Sequence, residues 1–149
     1  MKHIRIHLST TKSDTKIAVP QGMMYWKELW DTYTVDFPSV EIHCWKEETK
    51  RVEELKPLAA HSTVQGLIVS FTITLDETNR AYLRGQSIDP DGGLKWFTLF
   101  FYKKGIQMLE IAQYGSEIVL YGVDKKEAAE FVKIFPDVAK SEYFKEHPM

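Results

Sequence analysis

The stretch LKWFTLFFYKKGIQMLEIAQYGSEIVLY, residues 94–121, decides the fold, because it reads as three strands joined by two tight turns. Gly105 and Gly115 supply the turns, since glycine adopts the left-handed backbone that short hairpin loops require. The first strand has apolar side chains on both of its faces: Phe97, Leu99 and Phe101 on one, and Trp96, Phe100 and Tyr102 on the other. A strand of this kind is typical of a sheet that is covered on both sides. We therefore predict a helix over each face of the sheet.

Further strands are predicted on the amino-terminal side of this stretch. Residues 4–8 alternate as a half-buried strand, and residues 15–19 are expected to return beside it as a hairpin. Residues 66–75 alternate most clearly, residues 40–45 read as a short edge strand, and residues 80–86 read as a strand after a turn at 76–79.

Helices are predicted near both ends of the chain. Met23, Trp26, Trp30 and Tyr33 recur at intervals of three and four, which places them on one apolar helix face. Asp124 and Glu127 have the spacing of a capping box before a second amphipathic helix, and residues 46–56 indicate a short surface helix. The fold class is therefore α+β, with residues 1–149 as a single domain. We expect a mainly antiparallel meander sheet of about five to seven strands, packed with an N-terminal and a C-terminal helix.

Composition restricts the classes of function. The chain of 149 residues has 19 basic and 21 acidic side chains and a net charge of -2, which disfavours nucleic acid as the main partner. Cys44 has no second cysteine with which to form an internal disulfide, and neither a signal peptide nor a membrane-spanning apolar run is recognisable. We expect a cytoplasmic protein with no membrane partner, no cofactor and no metal. Its oligomeric state stays open.

Two tripeptides offer a catalytic alternative. His7-Leu8-Ser9 and His61-Ser62-Thr63 each have a histidine two residues before a hydroxyl side chain. The pair resembles the motifs of the 2H phosphoesterase family, in which the histidines act as general acid and base and the hydroxyl groups hold phosphate. This resemblance covers six residues and would assign catalysis to His7, Ser9, His61 and Thr63. It requires the two histidine rings to lie close together, although residues 57–61 read as a loop.

A protein partner is the preferred interpretation, because no phosphate loop, serine elbow or metal cluster is recognisable. In size, mild acidity and predicted fold class, the chain is similar in general character to bacterial immunity proteins, which bind and block a toxin, and phage-encoded inhibitors would look the same. We expect the partner-binding surface to combine one aromatic residue with an acidic stretch: Trp45, Glu47, Glu48, Glu53 and Glu54. A module that binds a small ligand against the aromatic sheet is the alternative.

Overall fold

The computed structural model describes residues 1–8, 10–12, 18–20, 23–137 and 139–145. Within these ranges there are ten strands: β1 (His3–His7), β2 (Thr10–Lys12), β3 (Ala18–Pro20), β4 (Ser39–Trp45), β5 (His61–Gln65), β6 (Ile68–Thr74), β7 (Thr98–Lys103), β8 (Ile106–Ala112), β9 (Glu117–Tyr121) and β10 (Lys140–Phe144). The same ranges contain four α-helices: α1 (Trp26–Tyr33), α2 (Thr49–Leu55), α3 (Glu77–Gln86) and α4 (Lys125–Val132).

Eight of the described strands form one antiparallel sheet in the order β10-β1-β9-β8-β7-β4-β6-β5, and β2 pairs with β3 separately. The predicted α+β class with an antiparallel sheet is confirmed. The predicted first hairpin is wrong, because β1 pairs with β9 and β10 instead of with residues 15–19. Of that returning segment, residues 15–17 lie outside the described ranges, and Ala18–Pro20 pairs with Thr10–Lys12.

The alternation of residues 66–75 is confirmed in β6. Val69, Phe71 and Ile73 are buried, whereas Ser70 and Thr72 between them are only half-buried. This is the period of two that a strand with one face in the core requires. Leu67 departs from the pattern because it lies in the β5–β6 turn, where it is 70% exposed.

Both predicted terminal helices lie on the same face of the sheet. The ring of Tyr33 on α1 makes an edge contact with Phe131 on α4 at 4.7 Å, and Trp30 contacts Phe101 of β7. The buried residues of all four described helices belong to one core. The prediction that the Trp-rich and carboxy-terminal helices cover opposite faces is therefore wrong.

The second face of β7, which was predicted to lie under a helix, carries fewer aromatic residues than expected. Trp96 precedes the strand and turns into the core, so it does not add to this face. Phe100 and Tyr102 do lie on this face. The ring of Phe100 packs against the ring of His43, with 4.9 Å between the ring centroids. Tyr102 is 38% exposed. In the described part of the chain, this face is shielded by neighbouring aromatic side chains on the sheet and not by one of the four α-helices.

Three segments differ from the sequence predictions. Residues 80–86 belong to helix α3, because Asp76 caps it by accepting a hydrogen bond from the Asn79 amide. Strand β4 lies inside the sheet between β7 and β6 and is not an edge strand. His61, expected in a loop, begins the edge strand β5.

The other helices are confirmed with shorter bounds than predicted, since α1 begins at Trp26, after Met23, and α2 at Thr49. In α4, Asp124 and Glu127 form the reciprocal capping box, and Phe131 is buried on its apolar face. In α2, Val52 and Leu55 are the buried residues. None of the helices in the described ranges has the length and apolar character needed to cross a membrane.

Candidate partner-binding surface

Strand β5 leaves one edge of the large sheet unpaired within the described ranges. All five of its residues, His61–Gln65, are exposed, and they pair only with β6. Its sequence, HSTVQ, contains no lysine, arginine, aspartate or glutamate. Charged side chains and proline are common means of preventing strand addition, and β5 has neither. The opposite edge, β10, carries Lys140 and Glu142.

The β5–β6 turn determines which backbone groups face outward. Gly66 has φ +60° and, with Leu67, forms a two-residue hairpin loop. The flanking pair Gln65 and Ile68 is hydrogen-bonded in such a hairpin, and hydrogen-bonded pairs alternate with unbonded ones along the ladder. The unbonded residues of β5 are therefore Ser62 and Val64. Their N–H and C=O groups point away from β6, where another strand could reach them.

Apolar side chains lie beside this edge. Leu67 is 70% and Val64 58% exposed. Trp45, at the end of β4, contributes with Leu67 and Glu47 to a shallow cavity of about 170 Å³. The ring of Trp45 packs against the ring of Phe97, with 4.9 Å between the ring centroids, and this contact holds Trp45 in place. We call Trp45, Glu47 and Leu67 the hairpin patch. Val64 lies opposite Val69 in the β5–β6 register, so it belongs to the β5 edge and faces the other side of the sheet from Trp45.

The acidic residues predicted to meet a partner divide into two kinds. Glu47 is exposed, and the Glu53 side chain is 68% exposed in an ion pair with Lys56. Glu48 and Glu54 are instead engaged within the fold, with side chains only 14% and 24% exposed. The predicted acidic surface is therefore reduced to Glu47 and Glu53.

Glu48 connects helix α2 to two neighbouring segments. Its carboxylate accepts hydrogen bonds from Arg51 at 3.1 Å and from the hydroxyl of Tyr114 at 3.2 Å. Arg51 also pairs with Asp89 and donates to the carbonyl of Lys95. Burial, followed by the nearby Glu48 carboxylate, raises the pKa of Tyr114. The role of Glu48 here is structural.

Glu54 makes a second internal connection. It accepts hydrogen bonds from the hydroxyl of Tyr82 on α3 at 2.5 Å and from Lys95 at 2.9 Å. The bond to this carboxylate is the main reason that the pKa of Tyr82 rises to about 12. Glu54 thus fixes α2 against α3, and a partner would have to compete with both donors.

Tyr114, which binds Glu48, lies in a left-handed turn. Gln113, Tyr114 and Gly115 all have positive φ values, of 53°, 56° and 86°. This conformation is unfavourable for the two residues that have a Cβ atom. Tertiary contacts hold it: the Tyr114 amide donates to the carbonyl of Phe97, and the Tyr25 hydroxyl donates to that of Gly115. The turn therefore fixes Phe97, the neighbour of Trp45.

The sheet does not bring the two histidine motifs together. His7 is on β1 and His61 on β5, with β9, β8, β7, β4 and β6 between them. Six strand spacings of about 4.8 Å place them roughly 29 Å apart along the sheet, beyond the reach of one general acid-base site. Thr63 lies on β5 with His61, and Ser9 lies outside the described residues. The geometry argues against a phosphoesterase that uses His7 and His61 jointly.

A different histidine has a carboxylate partner. Nε2 of His43 lies 2.7 Å from Glu41 on the same strand face, and both side chains are partly buried. Ser70 is opposite His43 in the β4–β6 register, but no hydrogen bond joins the two residues. Among the described residues, no group of three or more histidine, cysteine, aspartate and glutamate side chains is arranged to hold a metal ion.

The sequence predicted Trp45 and Glu47 as binding residues, but neither Leu67 of the hairpin patch nor the exposed Val64 of β5. Val64 and Leu67 carried a usable signal: a glycine-containing two-residue break between runs rich in β-branched residues, which predicts a hairpin. Leu67 was instead assigned to the buried face of the following strand.

Comparison of the chain with protein-family models, curated proteins and solved structures found no match.

Proposed function

We propose that this chain is a small cytoplasmic, non-catalytic binding protein of the inhibitor or immunity type. Its hairpin patch and the free edge of β5 would engage a protein partner. The observation that carries the proposal is the coincidence, in one region, of an uncharged unpaired strand with exposed Val64 and Leu67. Partners that add a strand to a sheet obtain affinity from the backbone and specificity from such neighbouring side chains.

The surface favours a partner with an apolar anchor and basic character. Trp45 and Leu67 can bury an apolar side chain, and tryptophan contacts often dominate binding energy. Glu47, beside them, and Glu53 on α2 are exposed acids. Exposed charges contribute mainly to the association rate and to its dependence on salt.

The test is co-purification of tagged protein from its native host, with wild type compared with matched variants. Leu67→Lys places a charge in the hairpin patch, whereas Met24→Lys makes the same type of change at a residue that is 95% exposed elsewhere. Both should leave stability within about 0.5 kcal/mol of wild type. We expect a specific partner to be retained by wild type and by Met24→Lys and lost from Leu67→Lys. Equal retention by all three would contradict the assigned surface.

A second variant separates backbone pairing from side-chain contact. Ser62→Pro removes an outward N–H group of β5 without removing a bond to β6. If the partner adds a strand, Ser62→Pro should weaken its binding about as much as Leu67→Lys does. Unchanged affinity of Ser62→Pro would show that the partner does not add a strand to β5 and binds only through the side chains of the hairpin patch.

Charge can be tested at the two exposed acids. Glu47→Lys and Glu53→Lys should slow the association of a basic partner, because they remove its electrostatic attraction to this surface. The association rate should also depend less on salt, because salt acts by screening that attraction. Kinetic measurement at two salt concentrations distinguishes this effect from loss of contact. A faster association would show that the partner is acidic.

A further inference from the structure

Helices α1 and α3 flank an open cleft that the partner-binding proposal does not use. Its volume is about 300 Å³, at the small end of the range for ligand pockets, roughly 300–1,000 Å³. Trp30, Val35 and Ala81 supply apolar walls, and Asp31, Arg80 and Arg84 lie around them. Val35 is 60% exposed. A ligand seated here would cover apolar surface that the fold leaves open.

One residue that lines this cleft has a buried polar group without a partner among the described residues. The indole N–H of Trp30 is buried, and no acceptor within the described ranges takes its hydrogen. The other two deeply buried tryptophans have acceptors: Trp26 donates to the carbonyl of Arg84, and Trp96 donates to the hydroxyl of Ser87. Buried polar groups are nearly always hydrogen-bonded, so the exception at Trp30 requires an explanation.

The charged groups around the cleft already have partners. Arg84 makes a two-point contact with Asp31 at 2.8 and 2.9 Å, which lowers the pKa of that carboxyl. Arg80 donates to the carbonyls of Thr34 and Phe37 just beyond α1. Glu77 adds a further negative charge to the lining. Neither an anion nor a cation is specifically required by this arrangement.

We infer that the cleft between α1 and α3 binds a small uncharged molecule with an apolar body and a carbonyl-type acceptor that receives the Trp30 N–H. The indole nitrogen is buried, so the acceptor reaches it when a lining side chain moves aside. Glu77 is exposed and lines the cleft, and its movement would leave the Arg84–Asp31 pair intact. A neutral ligand fits better than a carboxylate, because Arg84 is already paired with Asp31 and Arg80 with backbone carbonyls, while the charge of Glu77 would repel an anion.

Three probes of similar size separate the contributions. Acetophenone has an apolar ring and a carbonyl acceptor, ethylbenzene has the ring without an acceptor, and benzoate has an acceptor with a charge. The readout is the indole proton of Trp30 in ¹H–¹⁵N spectra, assigned through its contacts with Phe101. At millimolar concentrations, acetophenone should shift this proton downfield in a saturable manner. Ethylbenzene should not produce that shift, and benzoate should bind more weakly than acetophenone.

Trp30→Phe supplies the matched variant, since it keeps an aromatic ring and removes the donor. Acetophenone should bind it about tenfold more weakly, whereas ethylbenzene should bind both proteins alike. The wild-type spectra test the inference even if this variant is unstable. An unmoved Trp30 signal, an equal shift with ethylbenzene, or tighter binding of benzoate would overturn it. A persistent water contact to the indole proton that acetophenone does not displace would also overturn it.

Discussion

Two adjacent glutamates just before helix α2 should respond differently to the same substitution. Glu48→Gln removes the charge that faces Arg51 and weakens the bond from Tyr114. Glu47→Gln makes the identical chemical change one residue away on an exposed side chain. If Glu48 is structural and Glu47 belongs to a binding surface, only the first change should reduce the free energy of unfolding.

The expected size of the effect follows from the contacts. A hydrogen bond to a charged group contributes about 1.5–3 kcal/mol, and the Glu48 side chain is 14% exposed, so little solvent replaces it. Arg51 retains Asp89 and the Lys95 carbonyl, which limits the loss. We expect Glu48→Gln to cost about 2 kcal/mol. Glu47→Gln should stay within about 0.5 kcal/mol of wild type.

Urea unfolding followed by tryptophan fluorescence measures both values. A loss of about 2 kcal/mol would lower the midpoint by about 1 M urea, and would lower Tm by about 4–8 °C. Glu54→Gln and Glu53→Gln form a second matched pair, with the loss expected at Glu54. Equal effects within either pair would refute the division of the acids into structural and exposed residues.

Three further predictions concern single residues. Burial raises the pKa of Glu110, so the folded state loses stability as pH rises above the ordinary glutamate pKa and this carboxyl ionises. Glu110→Gln should therefore stabilise the protein at pH 7 and make no difference well below pH 4.5, as urea titrations at the two pH values can show. Asp124→Ala should cost about 1 kcal/mol through loss of the α4 cap, whereas Lys125→Ala should not, as thermal unfolding can check. Burial raises the pKa of the Cys44 thiol to about 12, so iodoacetamide at pH 8 should modify it only after unfolding, and rapid labelling of folded protein would contradict its burial.

The sequence predicted elements whose signal is local. Strand β6 and helix α4 follow from regular periodicity and from capping at Asp124. Helix α3 was not predicted because residues 76–79 were interpreted as a turn leading into a strand, although Asp76 is a favourable helix-capping residue. The cap was the better predictor there, because it satisfies otherwise unpaired amides.

Global placement was harder to predict. Two apolar faces on β7 suggested two covering layers, yet Trp96 enters the core from outside the strand and Phe100 is shielded by its neighbours on the sheet. No local pattern reveals such sideways packing. The same limit applies to Glu48 and Glu54, which are identical in type to Glu47 and Glu53. Their different roles depend on Tyr114 and Tyr82, which are distant in sequence.

The position of β1 between β9 and β10 has a consequence for the order of folding. As the chain is synthesised, the first strand emerges long before the two strands that flank it, so its apolar residues Ile4 and Ile6 must wait for neighbours. Contacts between such distant segments form slowly because a large loop must close first. The hairpins β5–β6 and β7–β8 need no such delay and could assemble early. Insertion of β1 between β9 and β10 would then be a late, rate-limiting event, during which the nascent chain is vulnerable to aggregation.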